Sequence, residues 1–375
     1  MRFYKTITRT LGVVAAILCL CSSCSTKAPQ GSDEPVQDGT ALSFIDFMRE
    51  GDGTGAENGY YRIIPRSDGS NNMAFIDYET RSQVFLCNRP ECLHEDEICT
   101  SWLPYGGGGG ALLTAGNHLF YLSFGNTTPG IAQRLGEDAL PQMIEMDLNG
   151  ANHIVRQKLN AFEQVRQGIA YDDNAIYFVC DSYENGVNGD LRTRSLYRYD
   201  IQSKNLEKRK ELSPSEQIVG VNGRSLIFNI SDGAQDIAED AGGIETKIVS
   251  YDVDTQEESV LLSHPFTTLG RVYNGYYYMY NLSGSTLLKQ QLTPNALLET
   301  IRKGVGKQVE IVDELDDYFL VIESVADQEV TLPDSDPPMT LPHLYFQYAL
   351  IEKSDYYNST PNYVPIEGIS LKGNA

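Results

Sequence analysis

Tryptophan is almost absent from this 375-residue chain, cationic residues are scarce, and no apolar run is long enough to cross a bilayer. The single Trp102 excludes sialidase-type Asp-box repeats, which need a Trp in every copy. Lys and Arg total 29 against 51 Asp and Glu, a formal net charge of −22. A field of that sign repels phosphate backbones and anionic lipid, so nucleic acid is not an expected partner. No Gly-x-Ser-x-Gly elbow occurs, which argues against an appended serine hydrolase. Asp252-Val253-Asp254 is too short a fragment to be a twelve-residue calcium loop. Four of the five histidines, His118, His153, His264 and His343, fall in separate units and read as surface or packing residues.

The chain opens with Arg2, Lys5 and Arg9 before an apolar run from Leu11 to Leu20, the layout of a secretory signal peptide rather than a membrane span. Ser22 and Ser23 precede Cys24, and a polar tract follows. This end resembles a bacterial lipoprotein lipobox, with Leu20 four residues before Cys24 and Cys21 in the place usually held by Leu. Residues 1–23 are therefore expected to be a lipoprotein signal peptide, Cys24 the lipidated residue and 24–40 a flexible tether. Ordinary signal cleavage near the serines is the alternative. Two acyl chains on one cysteine suffice for stable anchoring. Removing the leader takes its three cations from −22 and leaves −25 (−22 − 3) on the exported part.

The body of the chain repeats one phrase: paired hydrophobic-aromatic strands, then a strand ending in an aromatic or Met, an Asp and an apolar residue. Tyr60, Leu119, Ile176, Leu226, Tyr276 and Tyr318 open six such units, and Asp77, Asp147, Asp200 and Asp252 recur at the same point. A unit of this kind cannot bury both of its faces alone and must stack on its neighbours around an axis. The expected fold is all-β: a β-propeller of six four-stranded blades over 41–375. The recurrent Asp residues read as acceptors for the amides of the following turn. Long polar insertions at 126–142, 182–195, 232–246 and 324–343 should decorate one face, which becomes the expected binding face. The apolar residues Leu42, Phe44, Ile45, Phe47 and Met48 are either a closing strand or a docking segment.

The sharpest motif is Cys87-Asn-Arg-Pro-Glu-Cys92-Leu-His94-Glu-Asp-Glu-Ile-Cys99, expected in a crossover at 87–110 that lies over the insertion-rich face. Three thiols and an imidazole form a legitimate tetrahedral zinc set, Cys87, Cys92, His94 and Cys99. Export favours disulfides instead, among Cys87, Cys92, Cys99 and Cys180. Both readings make the segment structural. Glu91, Glu95, Asp96 and Glu97 should raise the thiol pKa values and disfavour a reactive thiolate.

From Phe75-Ile76-Asp77-Tyr78 through Val84-Phe85-Leu86-Cys87 to Cys92-Leu93-His94 and Cys99, the chain resembles surface lipoproteins of gut-type Clostridia. These carry a propeller related to the low-density-lipoprotein-receptor-related-protein-like β-propeller family. Asp355-Tyr356-Tyr357-Asn358 and Pro361-Asn362-Tyr363-Val364-Pro365-Ile366 are similar to that group's ending. The resemblance implies a surface propeller without an established activity and carries over no catalytic residue. The blades here lack the Tyr-Trp-Thr-Asp signature of the animal receptor propellers. The expected role is a monomeric, lipid-anchored binding or interaction protein, with a glycan, peptide or protein ligand. The rival is a glycan-active hydrolase with a carboxylate pair at the propeller face.

Overall fold

Strands that are apolar on both faces dominate the structure, a computed structural model. It describes residues 40–45 and 53–368, apart from 67–69, 104–108, 126–131, 185–189, 233–244, 265–269, 282–285, 304–309, 333–338 and nine single positions. The leader at 1–23, Cys24, the tether to 39, Phe47 and Met48 lie outside the described residues. One compact unit spans Gly39–Ala375. No helix among the described residues is long and apolar enough to cross a membrane.

The strands form six antiparallel sheets arranged as a six-bladed propeller. The first strand, β1 (Ser43–Ile45), precedes the ring. Blade 1 holds β2 (Thr54–Ala56), β3 (Gly59–Pro65), β4 (Asn71–Asp77) and β5 (Ser82–Phe85), with β6 (Trp102–Leu103) returning to β4. Blade 2 is β7 (Gly110–Ala115), β8 (His118–Ser123), β9 (Gln142–Asp147) and β10 (Ile154–Lys158). Blade 3 is β12 (Ile169–Tyr171), β13 (Ala175–Tyr183), β14 (Leu191–Asp200) and β15 (Asn205–Leu212), with β11 (Glu163–Val165) on β13. Blade 4 is β16 (Glu216–Asn222), β17 (Ser225–Asp232), β18 (Glu245–Asp252) and β19 (Glu258–His264). Blade 5 is β20 (Gly270–Tyr273), β21 (Tyr276–Asn281), β22 (Thr286–Gln291) and β23 (Leu298–Lys303). Blade 6 is β24 (Glu310–Glu314), β25 (Tyr318–Leu332), β26 (Met339–Glu352) and β27 (Val364–Pro365).

The physical reason for the ring is visible in single strands. Along β8, Leu119 and Tyr121 pack into the core shared with blade 1, whereas Phe120 and Leu122 pack into the core shared with blade 3. Along β13, Ile176 and Phe178 face blade 2, and Tyr177 and Val179 face blade 4. Side chains alternate across a strand, so an apolar run without polar gaps needs a neighbour on each side. Each large side chain buried this way contributes about 1.5–3 kcal/mol. The six unit starts read from the sequence all fall on the second strand of their blade. The first strands lie innermost: the hydroxyls of Thr54 in β2 and Tyr171 in β12 bond across the axis.

Three of the four recurrent aspartates accept from the amides of the turns after the third strands, whereas Asp147 Oδ2 accepts from the Asn152 side-chain Nδ2 at 2.7 Å. Asp77 Oδ1 accepts from the Thr80 amide at 2.7 Å and Asp200 Oδ1 from the Ser203 amide at 2.8 Å. Asp252 Oδ1 accepts from the amides of Asp254 and Thr255 at 3.0 and 2.8 Å. Bulges between third and fourth strands recur in blades 2, 3, 4 and 5, adding twist at the rim.

Every blade is built from consecutive chain, so the ring closes without a shared strand. Blades 6 and 1 instead meet through Tyr60, Ile76, Leu320, Tyr348 and Ile366. A parallel bridge between Ser82 and Glu367 joins them, and the Glu367 amide donates to Arg81 O at 2.9 Å. The apolar segment around Leu42 is therefore not a closing strand of the rim: β1 pairs antiparallel with β12, on the innermost edge of blade 3.

Candidate metal centre and propeller faces

Within the expected crossover at 87–110, residues 87–100 do not run between blades. β5 pairs with the lower half of β4, and β6 pairs with Asn71 and Asn72 at its upper end. Between them the Leu86 amide donates to Met73 O at 3.0 Å, and the Met73 amide donates to Ser101 O at 2.7 Å. The outermost strand of blade 1 is thus continuous from 82 to 86 and from 101 to 103, with residues 87–100 looped out of its middle. The loop stands on the outer rim, where the turn after β9 packs on it. A Cβ at Gly150 would lie 3.0 Å from Leu86 O and 3.2 Å from Thr100 O. His153 Nε2 reaches Thr100 O at 3.1 Å.

Cys87, Cys92, His94 and Cys99 converge there, with ligand atoms all within 4.8 Å of one another, and the set could hold a metal ion. A tetrahedron built on metal–sulfur bonds of about 2.3 Å has edges of about 3.8 Å, so the donors stand near the spacing that ligation requires. Cys87 and Cys99 sit at the two ends of the loop, so an ion there would tie its neck. His94 Nδ1 lies 3.2 Å from Cys99 Sγ, and the His94 ring rests on Phe85 with centroids 4.3 Å apart. The His94 carbonyl accepts from Arg66 Nη1 at 2.7 Å and from Asn72 Nδ2 at 3.0 Å. Asn72 Nδ2 also donates to Ser101 Oγ, which lies 3.0 Å from Cys99 Sγ. Glu91 and His94 take φ of +58° and +59°, a left-handed geometry costing about 1–2 kcal/mol per residue that ligation would offset.

Electrostatics separate the donors. Burial pushes the Cys99 thiol up to about 11. Burial also opposes the Cys87 thiolate, but the Arg89 amide and the side chains of Cys99, Cys92 and Thr100 outweigh it and its pKa falls. Burial and the Arg66 charge hold His94 below the usual imidazole value, so it is neutral and able to ligate. The expected raising of the thiols by neighbouring carboxylates is therefore not the operative effect: burial raises Cys99, and Cys87 moves the other way. Cys180 stands apart from the cluster, on β13 in the core between blades 2 and 3, where burial raises its thiol pKa. All four thiols are free.

The two faces of the propeller differ. The hairpins joining second and third strands rise on one face. The insertion at 324–343 proves to be a β-ribbon rather than a loop: β25 and β26 pair from Tyr318 and Glu352 out to Leu332 and Met339. β24 pairs with this ribbon as far as Ile322 and β27 as far as Ala349, and beyond them no third strand among the described residues joins it.

The opposite face carries the tight turns and an acidic cleft of about 440 Å³ between blades 1 and 6, lined by Glu57, Tyr78, Asp313, Glu314, Asp316 and Asp317 among others. Asp313 Oδ2 accepts from the Tyr78 hydroxyl at 2.6 Å, and burial raises the Asp313 pKa. Gly55 makes room for this carboxylate, since a Cβ there would lie 2.7 Å from Oδ2. Sequence reading missed this pair, because Tyr78 and Asp313 lie 235 residues apart and neither has a local motif.

No protein-family model matches the chain, and no curated protein does. Among solved structures it is similar to a puromycin hydrolase S511A mutant complexed with PGG, at 10% identity and TM-score 0.49, over 86% of this chain and 54% of that one. The chain thus spans about half the length of that hydrolase. An oligogalacturonate lyase from Vibrio parahaemolyticus matches at 14% identity and TM-score 0.41, over 77% of this chain and 74% of that one. The β-propeller domain of the trilobed protease from Pyrococcus furiosus, described as having an open velcro topology, matches at 8% identity and TM-score 0.41, over 88% and 99%. At such identities none of these proteins lends this chain a substrate or an activity.

Proposed function

We propose that this chain is an exported, lipid-anchored propeller that binds an extracellular glycan, peptide or protein on its hairpin face. The observation that carries the reading is the opposition of the two faces. Thr40, the last residue of the expected tether, is bonded at the tight-turn face, where Arg224 Nη1 donates to its carbonyl at 2.9 Å. The β25–β26 ribbon stands on the other face. A chain anchored through Cys24 would turn its plain face to the membrane and its elaborated face outward, where rigidly supported hairpins and loops usually bind. Metabolic labelling of the full chain with an alkyne fatty acid tests the anchor. Label that is present in the parent and lost in Cys24→Ala supports it, and equal labelling of both counts against it.

Within this proposal the rim cluster binds Zn²⁺ through Cys87, Cys92, His94 and Cys99. Three soft thiolates and a neutral imidazole suit zinc, and four protein ligands leave no open position, which makes the site structural rather than catalytic. The ion would fix the two halves of the outer strand against β4. The hydrolase reading finds its best address in the seam cleft, around Asp313. That carboxylate is already tied to Tyr78, and the cleft lies on the face where the tether arrives, so binding is the better-supported role.

A further inference from the structure

β1 is three residues long, yet it reaches three blades. Its register sets Ser43 opposite Tyr171, Phe44 opposite Ala170 and Ile45 opposite Ile169. Leu42 is 6% exposed and packs in the core between blades 3 and 4, while Ile45 is 5% exposed and packs in the core between blades 2 and 3. At the tight-turn face the Leu42 amide donates to Gly223 O at 2.9 Å. Arg224, which holds the Thr40 carbonyl, is itself fixed by Asp172 and by Asp254 Oδ1 at 2.8 Å. Gly168, with φ +89°, permits the close approach on the other side: a Cβ there would lie 2.9 Å from Ile218 O and 3.7 Å from the Phe44 ring.

The direction of the strand matters as much as its contacts. First strands of the blades run from the hairpin face to the tight-turn face, and β1 is antiparallel to one of them. The chain therefore rises along the axis from the tight-turn face before β2 begins blade 1. On the axis it meets Tyr171, whose buried hydroxyl bonds Thr54 and lies beside Ser43 and Thr114. This one phenol links β1, β2, β7 and β12, strands from three blades and the incoming segment.

From these contacts we infer that Thr40–Ile45 is an axial strap: it holds the inner edge of blade 3 against its two neighbours and couples the N-terminal tether to blades 2, 3 and 4. Antiparallel pairing supplies the backbone bonds that an inner edge otherwise leaves open, and two apolar anchors set one register. The mechanical coupling to a membrane rests on the Cys24 reading, but the strap itself does not: the labelling experiment above tests the first, and hydrogen exchange tests the second.

Amide hydrogen exchange on the full chain tests the strap directly. The amides of Leu42 and of Ile169–Tyr171 should be protected as long as those in β8. In a Leu42→Asp, Ile45→Asp double variant, protection at Ile169–Tyr171 should drop at least tenfold and the melting temperature should fall, with β8 protected to within twofold of the parent once the global change is subtracted. Exchange at Leu42 in the parent as fast as in an unstructured peptide would overturn the inference. So would an unchanged melting temperature in the double variant. If that variant fails to fold, the parent exchange pattern alone still decides it.

Discussion

The Tyr78 hydroxyl donates to Asp313 Oδ2 at 2.6 Å, and this bond joins the first blade to the last across 235 residues of chain. With no shared strand at that seam, side chains and the short backbone bridge between Ser82 and Glu367 carry the closure. Removing the hydroxyl takes the side-chain donor from a half-buried carboxylate and leaves it the Glu314 amide. Tyr78→Phe is expected to cost about 1.5–3 kcal/mol, the range for a hydrogen bond to a charged group. Urea unfolding of parent and variant measures it. A difference below about 0.5 kcal/mol would place the closure in the apolar contacts around Ile366 instead.

The rim loop yields a metal prediction. Protein purified without chelator should carry one equivalent of zinc, and stripping it should lower the melting temperature by on the order of 5 °C, as expected for opening a closed loop of about 15 residues worth about 3 kcal/mol. Cys92→Ser should bring most of the same loss without abolishing β-structure, because the blades remain. Metal-free protein with disulfide-linked thiols and an unchanged melting temperature in EDTA would replace the ion by a covalent staple.

Acid should weaken the fold through the turn carboxylates. The Ser203 amide and hydroxyl hold Asp200 down at about 2, Thr80 lowers Asp77, and Arg224 lowers Asp254. Against an unfolded value of about 3.9, the folded state then binds fewer protons in this range, so stability rises with pH. The contribution of Asp200 is complete above the unfolded value and disappears as pH falls through about 2. Melting temperatures measured from pH 5 to pH 2 should decline, and Asp200→Asn should show a shallower decline than the parent.

A buried ion pair in blade 3 makes a fourth test. Asp181 is 1% exposed and receives Arg194 Nε at 2.7 Å and Nη2 at 2.8 Å. Arg194→Met leaves that carboxylate only the Tyr183 hydroxyl at 3.1 Å and the more distant Arg166 Nε at 3.7 Å, and should cost about 3 kcal/mol, whereas the double change with Asp181→Asn should recover part of the loss. Equal destabilisation by single and double variants, read by chemical denaturation, would remove the pair from the account.

The repeat was legible because a propeller writes the same local problem six times. Strands such as Leu119–Leu122 and Ile176–Val179 are apolar on both faces, and in four blades an Asp at the end of the third strand bonds its own turn, so spacing along the chain was enough to find both. The four soft donors of the rim were legible as well, since they crowd into thirteen residues. Their place was not: that Cys87 and Cys99 flank a loop from the middle of a strand depends on Met73 bonding both Leu86 and Ser101, a pairing with no local signature. The sequence also left open whether Leu42 and Ile45 close the rim or dock elsewhere, because apolar residues say that they are buried, not against what.

Sequence by itself thus determined the all-β class, the six-fold repetition and the donor set, since each follows from alternation, turn chemistry and residue type within a short window. Only the tertiary structure decided that Tyr78 and Asp313 meet where the ring closes, that β1 runs along the inner edge of blade 3 beside Tyr171, and that the insertion after Ile322 is a paired ribbon. Those outcomes depend on which distant surfaces find each other once the blades stack, and residues hundreds of positions apart carry no mark of that meeting until the chain has folded.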